Sequence, residues 1–214
     1  MTLLALSTIE FLRGNWDKSL EYTERGWFTE VPRHVQAMSI AARFRILAYS
    51  RERESALALL NQYPEMLARL GKTNLIGSMI LSFAAVEGLF VLGELEQAAI
   101  VYPLICELID TGTICLPTSC RFSQTVAGIA ATAARNWGAA ENHFRIAMQQ
   151  AESYPNVVEQ ADIRRFHAMM LLDRAATGDR EKAQTLLGEA LETYTRIGMP
   201  CHIEVIQALL ARCR

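Results

Sequence analysis

The chain has 214 residues, 51% of them apolar, 21% charged and 8% aromatic. That composition excludes a disordered chain and allows one domain of ordinary size or a repeat array with a continuous core. The 21 Lys and Arg nearly balance the 23 Asp and Glu, for a formal net charge of −2, so no binding of nucleic acid through bulk charge is expected.

The N-terminal segment has no basic leader, and Glu10 and Arg13 interrupt its apolar run, so it does not read as a signal peptide. The longest uncharged run, 73–86, has 14 residues and is too short to cross a membrane, a task that takes about 20. The five cysteines, Cys106, Cys115, Cys120, Cys201 and Cys213, are odd in number and irregular in spacing. Reduced thiols in a cytoplasm are expected, with no disulfide framework and no membrane association.

A helix–turn–helix pattern recurs along the chain. Turns are expected at Arg13-Gly14-Asn15, Ser50-Arg51-Glu52, Leu92-Gly93-Glu94, Arg135-Asn136-Trp137 and Thr177-Gly178-Asp179. Each is followed by a small residue, Ser19, Ser55, Ala98, Ala140 and Ala183, at spacings of 36, 43, 42 and 43. Two antiparallel helices joined by a tight turn cross closely there, and only a small side chain lets the backbones approach. Four residues later the same helix face carries Leu59, Tyr102, Phe144 and Leu187.

In chain order, unit one (1–30) pairs helices near 2–13 and 16–28. Unit two (33–71) pairs 34–49 with 53–70, and unit three (73–112) pairs 74–92 with 94–110. Unit four (117–155) pairs 118–134 with 137–153, unit five (157–198) pairs 157–176 with 179–197, and a terminal helix covers 201–213. Gly71, Gly112 and Gly198 mark helix ends, and Pro64 and Pro103 are expected to kink second helices. The stretch Leu75 to Leu92 reads as a helix buried on several sides, and no segment alternates with the period of a strand. The expected fold is all-α, a right-handed α-solenoid of about five helix pairs with a C-terminal capping helix, in one domain.

These pairs resemble tetratricopeptide repeats, most cleanly at Gly178, Ala183, Leu187 and Ala190, although the period exceeds the ~34 residues of that repeat. The longer unit is similar to the helical sensor region of MalT-like, ATP-dependent LuxR-type regulators and to the repeat tails of ATPase–cyclase fusions. The sharper part of that similarity runs over 157–200, from Met170-Leu171-Leu172-Asp173-Arg174 through Gly178-Asp179-Arg180-Glu181-Lys182-Ala183 to Ile197-Gly198-Met199-Pro200. The resemblance implies a regulatory binding module. It also implies that the chain is one module of a larger regulator or a free-standing relative.

Catalytic constellations are not expected. Gly71-Lys72-Thr73 lacks the earlier Gly and the strand of a phosphate-binding loop, Asp110-Thr111-Gly112 occurs once, and Cys115 and Cys120 lack a second pair to complete a zinc site. Cys201-His202 reads as an isolated pair in a loop, and Trp16 and Trp137 as packing residues in equivalent turns. No cofactor is expected. In a solenoid the first helix of each pair lines the concave face, and Arg43, Arg45, Gln124, Arg164 and His167 fall on first helices. They are the candidate groove for a protein or peptide partner, an acidic peptide or a phosphorylated ligand gripped through bidentate contacts and bound without catalysis. A small-molecule sensor is the alternative. The apolar first helix, with Leu3, Leu4, Leu6 and Ile9, suggests homo-oligomer contacts through the solenoid ends or docking on a preceding repeat.

Overall fold

The computed structural model describes residues 3–25, 32–116 and 121–213. Among them are twelve α-helices: α1 (Leu3–Leu12), α2 (Trp16–Arg25), α3 (Arg33–Tyr49), α4 (Arg53–Gln62), α5 (Ile76–Leu92), α6 (Leu95–Ile100), α7 (Tyr102–Asp110), α8 (Ser123–Ala133), α9 (Trp137–Ser153), α10 (Val157–Arg174), α11 (Asp179–Ile197) and α12 (Pro200–Arg212). The described chain is all-helical. Its one β-type contact is an isolated bridge between Cys115 and Phe122. No helix among the described residues is long and apolar enough to cross a membrane.

The turns explain the hairpins. After α1, the Gly14 amide donates to Phe11 and the Asn15 amide to Glu10. The same two bonds recur after α3 (Arg51 to Ala48, Glu52 to Leu47), α5 (Gly93 to Phe90, Glu94 to Leu89) and α8 (Arg135 to Thr132, Asn136 to Ala131). Each satisfies two terminal carbonyls and puts the turn residue at positive φ, 82° at Gly14 and Gly93, 62° at Arg51 and 56° at Arg135. The turn after α10 departs: Ala175 takes the left-handed conformation and donates to Leu171, and Gly178 precedes α11. Asn136 also caps α9, accepting from the Ala139 amide.

Each first helix packs on its second: α1 on α2, α3 on α4, α5 on α6, α8 on α9 and α10 on α11. The first helices also pack in sequence, α1 on α3, α3 on α5, α5 on α8 and α8 on α10. The α3–α5 contact is close because Gly88 faces Phe44 where a Cβ would collide with the ring. Ser19, Ala98, Ala140 and Ala183 are fully buried at the crossings, as the spacing requires. Unit two needs a correction of one residue. Ala56, not the exposed Ser55, is buried at the crossing, and Leu60, not Leu59, follows it into the core. The spacings become 37, 42, 42 and 43, more regular than the sequence reading.

Proline sets two helix ends. Pro103 cannot donate to the carbonyl four residues back, and the expected second helix of unit three breaks at Val101 into α6 and α7. The expected helix 53–70 ends at Gln62 instead, because Pro64 opens a single 3₁₀ turn, Pro64–Met66. Gly198 caps α11 at φ 82°, and Gly112 follows α7 at φ 83°.

One buried apolar cluster runs from Ala37 to Cys213, with α5 contributing Ile80, Leu81, Phe83 and Leu89. A satellite of Phe11, Ile46 and Tyr49 sits beside it. Trp16 stacks on Phe11 and donates its indole N–H to the Phe11 carbonyl, which accounts for its place in the first turn. The last helix reaches back to the first turn: the Cys201 thiol donates to the Gly14 carbonyl at 3.4 Å, and His202 meets the Phe11 ring edge-on. Cys201 and His202 thus lie in the first turn of α12 rather than in a loop. Leu3, Leu4, Leu6 and Ile9 are half-buried.

Candidate ligand site on the inner face of the first helices

The helices α3, α5 and α10, the segment before α8, and the last two helices converge on a buried ionic cluster. At its centre is Arg121, 4% exposed. Its guanidinium donates to Glu87 through Nε at 2.9 Å and Nη2 at 2.7 Å. Its Nη1 donates to Glu159 at 2.8 Å and to Asp162 at 2.5 Å. Asp162 also accepts from Arg165 at 2.9 Å and from the Tyr194 hydroxyl at 2.5 Å. Tyr49 links the two sides, donating to Glu87 and accepting from Arg165, both at 2.6 Å. Glu159 accepts in addition from the Phe122 amide and the Thr125 hydroxyl.

Charges this deep are tolerable only when paired and hydrogen-bonded. Burial pushes Glu87 upward, but Arg121 outweighs it and holds the carboxyl near 2. Burial acts likewise on Asp162, and Arg121 and Arg165 bring it below the ordinary range. At Glu159 burial wins over Arg121, and the carboxyl is raised. Burial raises the hydroxyls of Tyr49 and Tyr194, so both remain donors. His202 sits against Tyr194, Phe11 and Tyr49 with ring centroids 5.2, 5.7 and 6.0 Å away. Neither of its ring nitrogens has a hydrogen-bond partner among the described residues, and burial lowers its pKa to about 4.

A cavity opens on the α1 side of this cluster. Leu4 and Thr8 of α1 form one wall, Met38, Ala42 and Arg45 of α3 the second, and Ile80, Ala84 and Glu87 of α5 the third. Phe83 and Arg121 close it. The α3 and α5 residues share the spacing i, i+4, i+7, so each helix gives one face to it. The recess is partly open to solvent and leaves about 30 Å³ for the centres of water-sized molecules, room for about two waters.

Of the five residues expected to form a groove, Arg45 alone lines this cavity, 9% exposed, with its guanidinium 4.7 Å from the centre of the Phe11 ring. Arg43 turns away to Glu24 of α2 at 3.3 Å, and Arg164 to Glu189 of α11 at 2.6 Å. His167 is stacked on Phe144, centroids 5.5 Å apart. Gln124 belongs to a separate chain of bonds, its Oε1 accepting from His143 Nδ1 at 2.6 Å. An amide oxygen only accepts, so His143 carries its proton on Nδ1 and takes the Tyr102 hydroxyl at Nε2, 3.0 Å away. Burial, with the neighbouring Cys106 thiol, pushes Tyr102 up to about 12. Its phenol therefore stays protonated.

Cys106, Cys115, Cys201 and Cys213 are free thiols, and Cys120 lies outside the described residues. No group of three or more His, Cys, Asp and Glu among the described residues is placed to hold a metal ion. Sequence reasoning missed Arg121, Glu87, Glu159, Asp162, Tyr49, Tyr194 and His202. The signal available was Glu87 itself, a charge in the middle of an otherwise uncharged helical run. Compared with protein-family models, with curated proteins and with solved structures, the chain matches none.

Proposed function

We propose that the chain is a non-catalytic binding module of the regulatory kind, a tetratricopeptide-like solenoid of five helix pairs capped by α12, that holds its ligand on the inner face of its first helices. The bonding pattern shared by four turns and the buried small residue at all five crossings support the repeat reading. So does the sequential packing of the first helices. The resemblance to the sensor region of LuxR-type regulators agrees with it.

The cavity between α1, α3 and α5 carries the choice of ligand. A peptide running the length of a concave groove would have to displace the Arg121 cluster, which ties α5 and α10 together, and α12, which packs on α11 and reaches back to the turn after α1. A small molecule needs only the recess that remains, whose room of about 30 Å³ would have to widen by movement of side chains such as Leu4, Met38 and Phe83. A protein partner is the second reading. It is favoured by the exposed Leu70, Leu75 and Ile76 at the α4–α5 connection, 56%, 56% and 41% accessible.

The non-catalytic reading has a chemical basis. Each carboxylate of the cluster accepts three hydrogen bonds, and the Tyr102–His143 pair has no basic end free to take a proton.

A thermal-shift panel of sugars, nucleotides, acids, amines and peptides tests the proposal, run on the native chain and on Ala42→Leu. A ligand that binds only the folded state raises the melting temperature. At least one compound should stabilise the native chain and lose that effect in the variant. Stabilisation that survives Ala42→Leu throughout, or turnover of a panel compound, would contradict it.

A further inference from the structure

The connection between α4 and α5 presents a surface away from the inner face. The Pro64 turn leads into the segment 67–75, and α5 starts at Ile76. Five side-chain bonds fix this segment. Asn74 Oδ1 accepts from the Arg69 amide at 2.8 Å, and its Nδ2 donates to the Arg69 and Lys72 carbonyls at 2.9 Å. The Ser82 hydroxyl accepts from the Ala68 amide at 3.1 Å, and Glu107 of α7 from the Gly71 amide at 2.8 Å. A backbone set in advance leaves little more than side chains to order on binding. This bonded segment and the start of α5 nevertheless turn Leu70, Leu75 and Ile76 to solvent rather than into the core.

An open cleft lies at the same place. Met66, Leu67 and Leu75 give it apolar walls, and Arg33, Arg69 and Lys72 line it against the single carboxylate of Glu65. It leaves about 310 Å³ for the centres of water-sized molecules, compared with about 30 Å³ in the inner recess. Arg33 reaches Glu65 at 3.9 Å, with both side chains exposed. Arg69 and Lys72 have no carboxylate partner among the described residues. Two unpaired cations beside exposed leucines complement a segment in which carboxylates and apolar side chains share one face. The depth of the cleft favours a peptide over a membrane, because protruding side chains fill a cleft and a flat lipid surface does not.

We propose that the α4–α5 connection docks an acidic amphipathic peptide segment of a partner protein, its carboxylates at Arg69 and Lys72 and its apolar side chains on Leu70, Leu75 and Ile76. The proposal rests on the protein-partner reading and gives that partner its charge.

Fluorescence anisotropy of the full chain tests it with three labelled peptides that share one leucine pattern and carry Glu, Gln or Lys at the positions between. The Glu peptide should bind at least tenfold more tightly than the Gln peptide, the Lys peptide most weakly, and added salt should narrow the difference. Arg69→Gln combined with Lys72→Gln should bring the Glu peptide down to the level of the Gln peptide. Leu75→Ser should weaken both at least fivefold, and serine suits the N-cap place that Leu75 holds on α5. Lys182→Gln, at an exposed position of α11, should change nothing. Circular dichroism checks that each variant is folded. Equal binding of the Glu and Gln peptides would overturn the proposal; if both still depend on Leu75, the partner reading stands without the charge. Binding that survives Leu75→Ser, or the paired Arg69 and Lys72 variant, would also overturn it. If none of the three peptides binds, the proposal and the partner reading fall together. Sedimentation with vesicles of phosphatidylcholine and phosphatidylglycerol covers the lipid case: capture that is lost in Leu75→Ser, without peptide binding, would make this surface a membrane contact and overturn the proposal.

Discussion

Replacing Arg121 with Met keeps the reach of the side chain and removes its charge. Three carboxylates lose a donor at once: Glu87, Glu159 and Asp162, each 1% exposed or less. Breaking a buried ion pair by deleting one partner costs about 3 to 5 kcal/mol, because the remaining charge stays buried without compensation. In a chain of this length one kcal/mol moves the melting temperature by roughly 2 to 4 °C, so Arg121→Met should lower it by about 6 to 20 °C at pH 7. The pH dependence identifies the cause. In the native chain Glu87 and Asp162 have depressed pKa values, so they add stability above pH 4.5, lost as pH falls through their folded values. In Arg121→Met burial is opposed only by the remaining partners, Arg45 at Glu87 and Arg165 and Tyr194 at Asp162, so both pKa values rise and protonation at acid pH relieves the variant. The deficit should therefore shrink steadily from pH 7 to pH 4. Scanning calorimetry across that range reads it directly. A deficit under about 2 °C at pH 7, or one that does not change with pH, would refute the ionic account of this cluster.

Further outcomes follow from single contacts. His202 falls from 6.5 to about 4 on burial, so the folded state resists its protonation, and about 3 kcal/mol of stability is lost between those pH values. In urea titrations His202→Phe should flatten that decline relative to the native chain; an identical slope would count against it. Ala56→Leu should destabilise by about 1 to 3 kcal/mol by overfilling the α3–α4 crossing, whereas Ser55→Leu should change little; the reverse order in chemical denaturation would restore the original register. Gly14 and Gly93 share φ 82°, but a Cβ on Gly14 would lie 3.0 Å from Cys201 Sγ, and one on Gly93 meets nothing within 4 Å. Both alanine variants should lose about 1 to 2 kcal/mol to the left-handed backbone, with Gly14→Ala losing more; equal losses would mean that α12 does not seat on the first turn.

Local chemistry made much of the helical framework legible. Turn residues, small residues and prolines all act within a few residues, and they anticipated an all-helical chain, although the second helix of unit two ends early at Gln62, that of unit three breaks at Val101, and unit two carries one register error. That error came from Ser55 and Ala56, adjacent and both small, so that size alone did not distinguish them. The inner cluster was not legible for the opposite reason. Arg121 lies 34 residues from Glu87 and 41 from Asp162, and Arg165 lies 116 from Tyr49. No helical period links such positions. Arg43 and Arg164 were sound as first-helix residues, yet a first helix also has flanks, and these two face Glu24 and Glu189 across to second helices.

Alanine and methionine methyl NMR on the native chain tests the inner-face account most directly, with a compound that stabilises the native chain in the thermal-shift panel titrated into a labelled sample. The methyl resonances of Met38, Ala41, Ala42 and Ala84 should shift together and saturate with one affinity, while that of the exposed Ala58 on α4 stays fixed. Shifts scattered over both sets, or confined to outer positions such as Ala58, would contradict a ligand site between α1, α3 and α5.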